Sequence, residues 1–123
     1  MSVYRGSCHC GAVEFEAQGE LDTGYMCDCS LCRRKNAIMA RIPKENFKLL
    51  KGEGALSLYQ WNTGVAKHYF CRHCGIYTHH QPRTAPELIG VNLGCIDALE
   101  ARKLPIKIGE GSKLSGGRGV TPG

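Results

Sequence analysis

Residues 12–18 alternate strictly, with Val13, Phe15 and Ala17 on one side and Glu14, Glu16 and Gln18 on the other. A period of two predicts a strand with one buried face. Residues 37–42 form an apolar, strand-like run that Pro43 ends, and Phe47-Lys48-Leu49-Leu50 predicts another short strand, closed by Lys51-Gly52-Glu53-Gly54. The clearest hairpin signal follows: residues 56–61 alternate, Asn62-Thr63-Gly64 supplies turn chemistry, and residues 65–70 run back. Strands are also predicted over 75–81 and 88–96, separated by a proline-rich loop at 82–87. Beyond Asp97 the pattern weakens to a helical turn over 97–103 and a short edge strand over 105–108. Residues 19–25 read as a connection, and residues 30–35 as a single helical turn with Ser30 as its cap. Many short strands and no helix longer than about two turns predict a mainly β protein.

The chain has 123 residues, a length suited to one domain with a real core. Only 42% of residues are hydrophobic and 16 are glycine, so a core cross-linked by metal is an economical route to stability. Residues 1–108 read as that domain, and residues 109–123, with six glycines and little apolar content, as a mobile tail. The opening residues contain no apolar run of signal-peptide length and no segment reaches a membrane span, so the expectation is a soluble, cytoplasmic protein.

In a reducing compartment, eight cysteines at CxC and CxxC spacings point to metal rather than disulfides. Metal also changes the charge: seven thiolates (−7) and two Zn²⁺ (+4) turn the formal +5 into +2. With no dense basic stripe interleaved with aromatics, nothing supports a nucleic-acid footprint.

The cysteines fall into three clusters and a singlet. Cys8-His9-Cys10-Gly11 and Cys71-Arg72-His73-Cys74-Gly75 each end in Cys-Gly, the signature of a tight knuckle in which glycine takes a positive φ and backbone N–H groups point at sulfur. Together they supply the four thiolates of a closed, structural zinc site. Cys27, Cys29 and Cys32 remain, followed by arginine instead of glycine. Three protein ligands are the usual complement of a catalytic zinc, but Cys95 or a histidine folding back would close the site, and spacing alone leaves both arrangements open. Cys95 lies in an apolar strand, where a buried thiol without a direct role is the simpler reading. A zinc held by three thiolates suits a soft substrate sulfur better than it activates water, which points to a thiol meeting a small electrophile such as an aldehyde. Arg33, Arg34 and Lys35 either offset the charge of that unit, receive a substrate carboxylate, or form an ordinary solvated turn. His9 and His73 are expected to face solvent. His79 and His80, adjacent on a strand, face opposite sides, and either has the intrinsic pKa of a general acid or base. Tyr77 shares the parity of His79 and reads as a packing residue.

The order CHCG, CDCSLCRRK, an Asn-Thr turn, HYFCRHCGIYTHHQ and a late NLGCID resembles the glutathione-dependent formaldehyde-activating family, which includes the centromere protein V type, over residues 4 to about 98. The resemblance implies a zinc-stabilised β-tent of several small antiparallel sheets with few helical turns. It implies two zinc ions, a structural one at Cys8, Cys10, Cys71 and Cys74 and a more exchangeable one at Cys27, Cys29 and Cys32, and so favours the open site. It further implies a carbon–sulfur lyase acting in reverse, in which a glutathione-like thiol adds to formaldehyde with Cys27, Cys29 and Cys32 as the catalytic ligands. Asn36 stands where the family often has glycine, and asparagine tolerates the left-handed backbone such a turn needs. Because a fold can keep its metal sites while its substrates diverge, a non-catalytic binding module and a thiol or zinc sensor stand as the alternatives.

Overall fold

A computed structural model describes residues 2–61 and 64–109. The expected Asn62-Thr63 turn and residues 110–123 of the expected tail lie outside the described residues. Two sheets make the framework. The smaller is antiparallel, in the order β1-β2-β5, from β1 (Val3–Ser7), β2 (Glu14–Gln18) and β5 (Phe47–Lys51). The larger runs β10-β3-β4-β9-β8-β7-β6, from β3 (Gly24–Cys27), β4 (Met39–Pro43), β6 (Leu56–Tyr59), β7 (Lys67–Cys71), β8 (Tyr77–Gln81), β9 (Leu88–Asn92) and β10 (Ile106–Gly109). The mainly β expectation holds, and the one α-helix, α1 (Ser30–Lys35), is six residues long. Among the described residues no helix is long and apolar enough to cross a membrane.

Alternation in β2 places the side chains as its sequence demands: Val13, Phe15 and Ala17 are fully buried. Phe15 and Ala17 meet Ala40 and Ile42 of β4 and Val91 of β9 in the main core between the sheets. Phe47 joins Phe15 to His79 of β8, at centroid distances of 5.3 and 4.6 Å. Val13 instead packs with Cys8 and Cys71 in a second, smaller core.

Three local readings change. Gly24 and Tyr25, expected in a connection, instead open β3, which pairs in parallel with β10 and meets β4 only through Tyr25 and Met39. This strand is missed because four residues give too few alternations to register and its partner lies some eighty residues on. Residues 93–95, taken as the end of a strand, form a 3₁₀ turn in which the Asn92 side chain accepts from the Gly94 N–H, so Cys95 leaves the sheet. The cap of α1 is Cys29, not Ser30: its sulfur accepts from the Cys32 N–H, while Ser30 is buried as the first helical residue. A thiolate acceptor does here what a hydroxyl ordinarily does.

The sheet separates its two adjacent histidines. His79 pairs with Val91 and looks into the main core, where its Nδ1 lies 2.8 Å from the Thr78 hydroxyl, and burial pushes its pKa down to about 4. An imidazole held neutral in the folded chain but free to protonate near pH 6.5 when unfolded makes the unfolded state bind more protons between those values. Folding stability therefore rises with pH from about 4 to 6.5. His79 alone should contribute on the order of 2–3 kcal/mol of that slope. Urea unfolding across this range should show the slope reduced in His79→Gln; an unchanged slope would remove His79 as its source.

Candidate metal centre

The first thiol cluster joins the two sheets. Cys8 and Cys10 follow β1 of the smaller sheet; Cys71 ends β7 of the larger, with Cys74 just beyond. The four sulfurs lie within 4.8 Å of one another, and Cys10 stands 3.7 Å from both Cys8 and Cys71. Zinc–sulfur bonds of about 2.3 Å in a tetrahedron place sulfurs roughly 3.8 Å apart, so the spacing fits that ion. Backbone donors complete both knuckles: Val13 N–H bonds the Cys8 sulfur at 3.3 Å and His73 N–H the Cys71 sulfur at 3.4 Å. Gly11 and Gly75 close them at φ of 81° and 77°, a region costly for a residue with a Cβ. His9 and His73 are exposed, as expected.

Cys27 ends β3, Cys29 caps α1 and Cys32 lies one turn on, and the three sulfurs are again within 4.8 Å of one another. Here too backbone N–H groups point at sulfur, from Cys29 to Cys27 at 3.5 Å and from Cys32 to Cys29 at 3.4 Å. Hydrogen bonds from Cys27 and Cys32 hold the Cys29 thiol down to about 2. Cys27 and Cys32 are both raised, chiefly by the thiols they face. This donor set can hold a metal through three sulfurs. Asn36 ends α1 at φ 53° and ψ 38°, the left-handed turn that its sequence position allows.

Cys95 takes no part in the trithiol group. It is buried in the main core, its thiol donates to the Tyr77 carbonyl at 3.6 Å, and burial pushes it up to about 12. The charges that add to this rise are those of Cys8 and Cys74, members of the other cluster, and of Asp97.

The neighbours of the trithiol group come from the face of the large sheet turned away from the main core. Register runs Tyr59, His68, His80, Gly90, Arg41 straight across β6, β7, β8, β9 and β4. Tyr25 lies opposite Met39, two residues before Arg41, and so on the same face as Arg41, whose guanidinium sits 5.0 Å from the Tyr25 ring; Cys27 follows two residues later. Tyr77 is here as well, against the parity expected for it. Tyr69 pairs with His79 and Phe70 with Tyr77, leaving Thr78 as the extra residue of a bulge that turns Tyr77 to the His80 side. Its hydroxyl lies 2.7 Å from His80 Nδ1, and the Lys35 ammonium lies 3.7 Å from its ring centre. Of the three basic residues, Arg33 and Arg34 are exposed and Lys35 is half-buried. Gly90 has a packing reason to be glycine, since a Cβ there would overlap the His80 ring.

Burial pushes His80 down to about 3 and His68 to about 4, and raises Tyr77 well above its usual range, the nearby thiols adding to that rise. His68, which no motif singles out, is 5% exposed, and its Nδ1 has no hydrogen-bond partner. An unsatisfied buried polar atom costs about 1–3 kcal/mol. A period-two count across the hairpin was the available signal, because His68 and His80 fall opposite one another only if residues 65–70 and 75–81 pair. At the Arg41 end of the row lies an open cleft of about 510 Å³, whose lining includes Glu20, Asp22, Tyr25, Arg41 and Lys107.

A mainly β domain with one four-thiol and one three-thiol cluster, each able to hold a metal ion, defines a small β protein with two candidate metal sites. Comparison with known proteins makes the class specific. The family model described as glutathione-dependent formaldehyde-activating enzyme matches residues 3–108, and the chain belongs to that family. A crystal structure of a Rhodobacter sphaeroides protein, solved as a structural-genomics target, is 45% identical and superposes with a TM-score of 0.76, covering 84% of this chain and 99% of that one.

Replacing Cys95 by serine should leave the metal content of the protein unchanged, since its sulfur is bonded inside the core. Elemental analysis checks this, and loss of one equivalent would make Cys95 a ligand.

Proposed function

We propose that the chain joins a glutathione-like thiol to formaldehyde or a related small electrophile at Cys27, Cys29 and Cys32, a carbon–sulfur lyase reaction run in reverse. The observation that carries this reading is the three-thiol group itself, with Cys95 held in the core instead of completing it. Family membership supports the same chemistry, because the family is described by its action on glutathione and formaldehyde. Two zinc ions are proposed, a structural one at Cys8, Cys10, Cys71 and Cys74 and a second at the trithiol group. With three thiolate ligands, zinc supplies a soft Lewis acid that favours a substrate sulfur in its thiolate form.

The chain's own groups divide the remaining work. Cys27, Cys29 and Cys32 hold the metal, fixed by their backbone N–H bonds. Lys35, half-buried against Tyr77, sets a positive charge beside the thiol group, opposing its negative charge and favouring the oxyanion that develops as an aldehyde is attacked. The cleft along β3 and β4 pairs Arg41 and Lys107 with Glu20 and Asp22, a mixed-charge lining suited to the amine and carboxylates of a short zwitterionic peptide.

Cys27 is half-buried at the end of a strand, so Cys27→Ser should leave the fold intact. The variant should lose one of two zinc equivalents and lower thiol-dependent formaldehyde consumption by at least about 100-fold. Wild-type consumption in a folded variant would sink the enzymatic reading and leave a binding module.

A further inference from the structure

His68 combines three properties that are hard to reconcile with packing alone. It is buried, its Nδ1 has no partner, and it shares a sheet face with Cys27. The other buried polar groups nearby are spoken for: His79 is bonded to Thr78, His80 to Tyr77, and Cys95 to the Tyr77 carbonyl. Among the described residues, His68 Nδ1 is the one buried side-chain nitrogen or oxygen left without a hydrogen bond. Its ring is also held in place, stacked on His80 at 5.3 Å with 13° between the planes. His80 in turn is fixed by the Tyr77 hydroxyl and by the bare backbone of Gly90. Tyr77 and His80 are positioning residues that hold the His68 ring.

We infer that His68 is the proton carrier of this site, taking the proton of a substrate thiol at Nδ1 and delivering it to the carbonyl oxygen of a small aldehyde. The inference rests on the thiol-plus-aldehyde reading above. The S–H bond breaks as Nδ1 gains its proton, and the sulfur pair forms the S–C bond while the C=O π pair moves onto oxygen. That oxygen then takes the proton from Nδ1. The ring ends neutral, as it began, and no oxidant or reductant is consumed. Cleavage of the adduct runs the same steps backwards, with Nδ1 taking the hydroxyl proton.

The groups around the ring suit a transient carrier. Tyr59 stands opposite it on β6, Tyr77 and His80 flank it on β8, and Arg41 lies further along the same row. Burial and the Lys35 charge from α1 keep the ring neutral at rest, able to accept, while the Cys29 charge favours the protonated state that follows. His79 and His80 lack this combination, because each already bonds a hydroxyl through Nδ1.

The test counts protons. A thiol of ordinary pKa near 8.5 is protonated at pH 7 and must shed its proton on becoming a thiolate. Calorimetric titration of the zinc-loaded protein with glutathione, in two buffers of different ionisation enthalpy, reports whether that proton reaches the solution. The wild type should release close to none, and His68→Gln about one per glutathione bound, with affinity at pH 7 weakened by at least about tenfold, the share that capture of the proton supplies. In parallel, kcat for the hydroxymethyl adduct should fall by about 10²–10⁴ in the variant with little change in KM. Release of a full proton by the wild type overturns the inference without needing the variant to fold. Bound glutathione with no formaldehyde turnover, but with the proton retained, removes the aldehyde reaction and leaves the carrier. No glutathione binding overturns both.

Discussion

The four-sulfur contact among Cys8, Cys10, Cys71 and Cys74 is the constraint on which the architecture depends, because it ties the end of β1 to the end of β7 across sixty-one residues of sequence between Cys10 and Cys71. Closing so long a loop is entropically costly, and a knuckle-to-knuckle junction recovers that cost at a single point. Val13 and the flanking apolar residues wrap the junction in a small core of their own. With the two sheets anchored there, Phe15, Ala17, Phe47 and His79 meet across the gap and form the larger core. Every later feature assumes that both faces of the large sheet are defined, one by this core and one by α1 and the second thiol group.

The division between the two cysteine clusters was legible because it rests on local chemistry. Cys-Gly knuckles and a Ser30-to-Lys35 turn declare themselves within a few residues, and Asn36 declares the end of the helix. Strands β2 and β6 were legible from alternation, β4 and β5 from short strand-like runs, and β7 from its return after a turn signal. What the sequence hid was whatever depended on distant pairing: β3 and its parallel neighbour β10, the departure of Cys95 from the sheet, and the row linking His68 to Arg41. Both adjacent histidines were expected on opposite faces, and they are, yet both are buried because β8 is covered on both of its faces.

The electrostatic character of the second site also comes from placement rather than composition. Three basic residues follow Cys32, but helix geometry sends Arg33 and Arg34 outward and turns Lys35 onto Tyr77. One half-buried cation beside a group of thiols is screened less than two exposed ones.

Thr78 gives this arrangement an unusual dependence on counting. Two neighbouring strands can stay zipped whether or not one of them carries a surplus residue, so the sheet is tolerant of length at this point. The site is not, since the surplus residue sets the phase in which side chains emerge. Shortening β8 by that residue would act like a frameshift in three dimensions: the ladder would close, while the Tyr77 hydroxyl would emerge among the aromatic rings on the far side and His80 would lose its support.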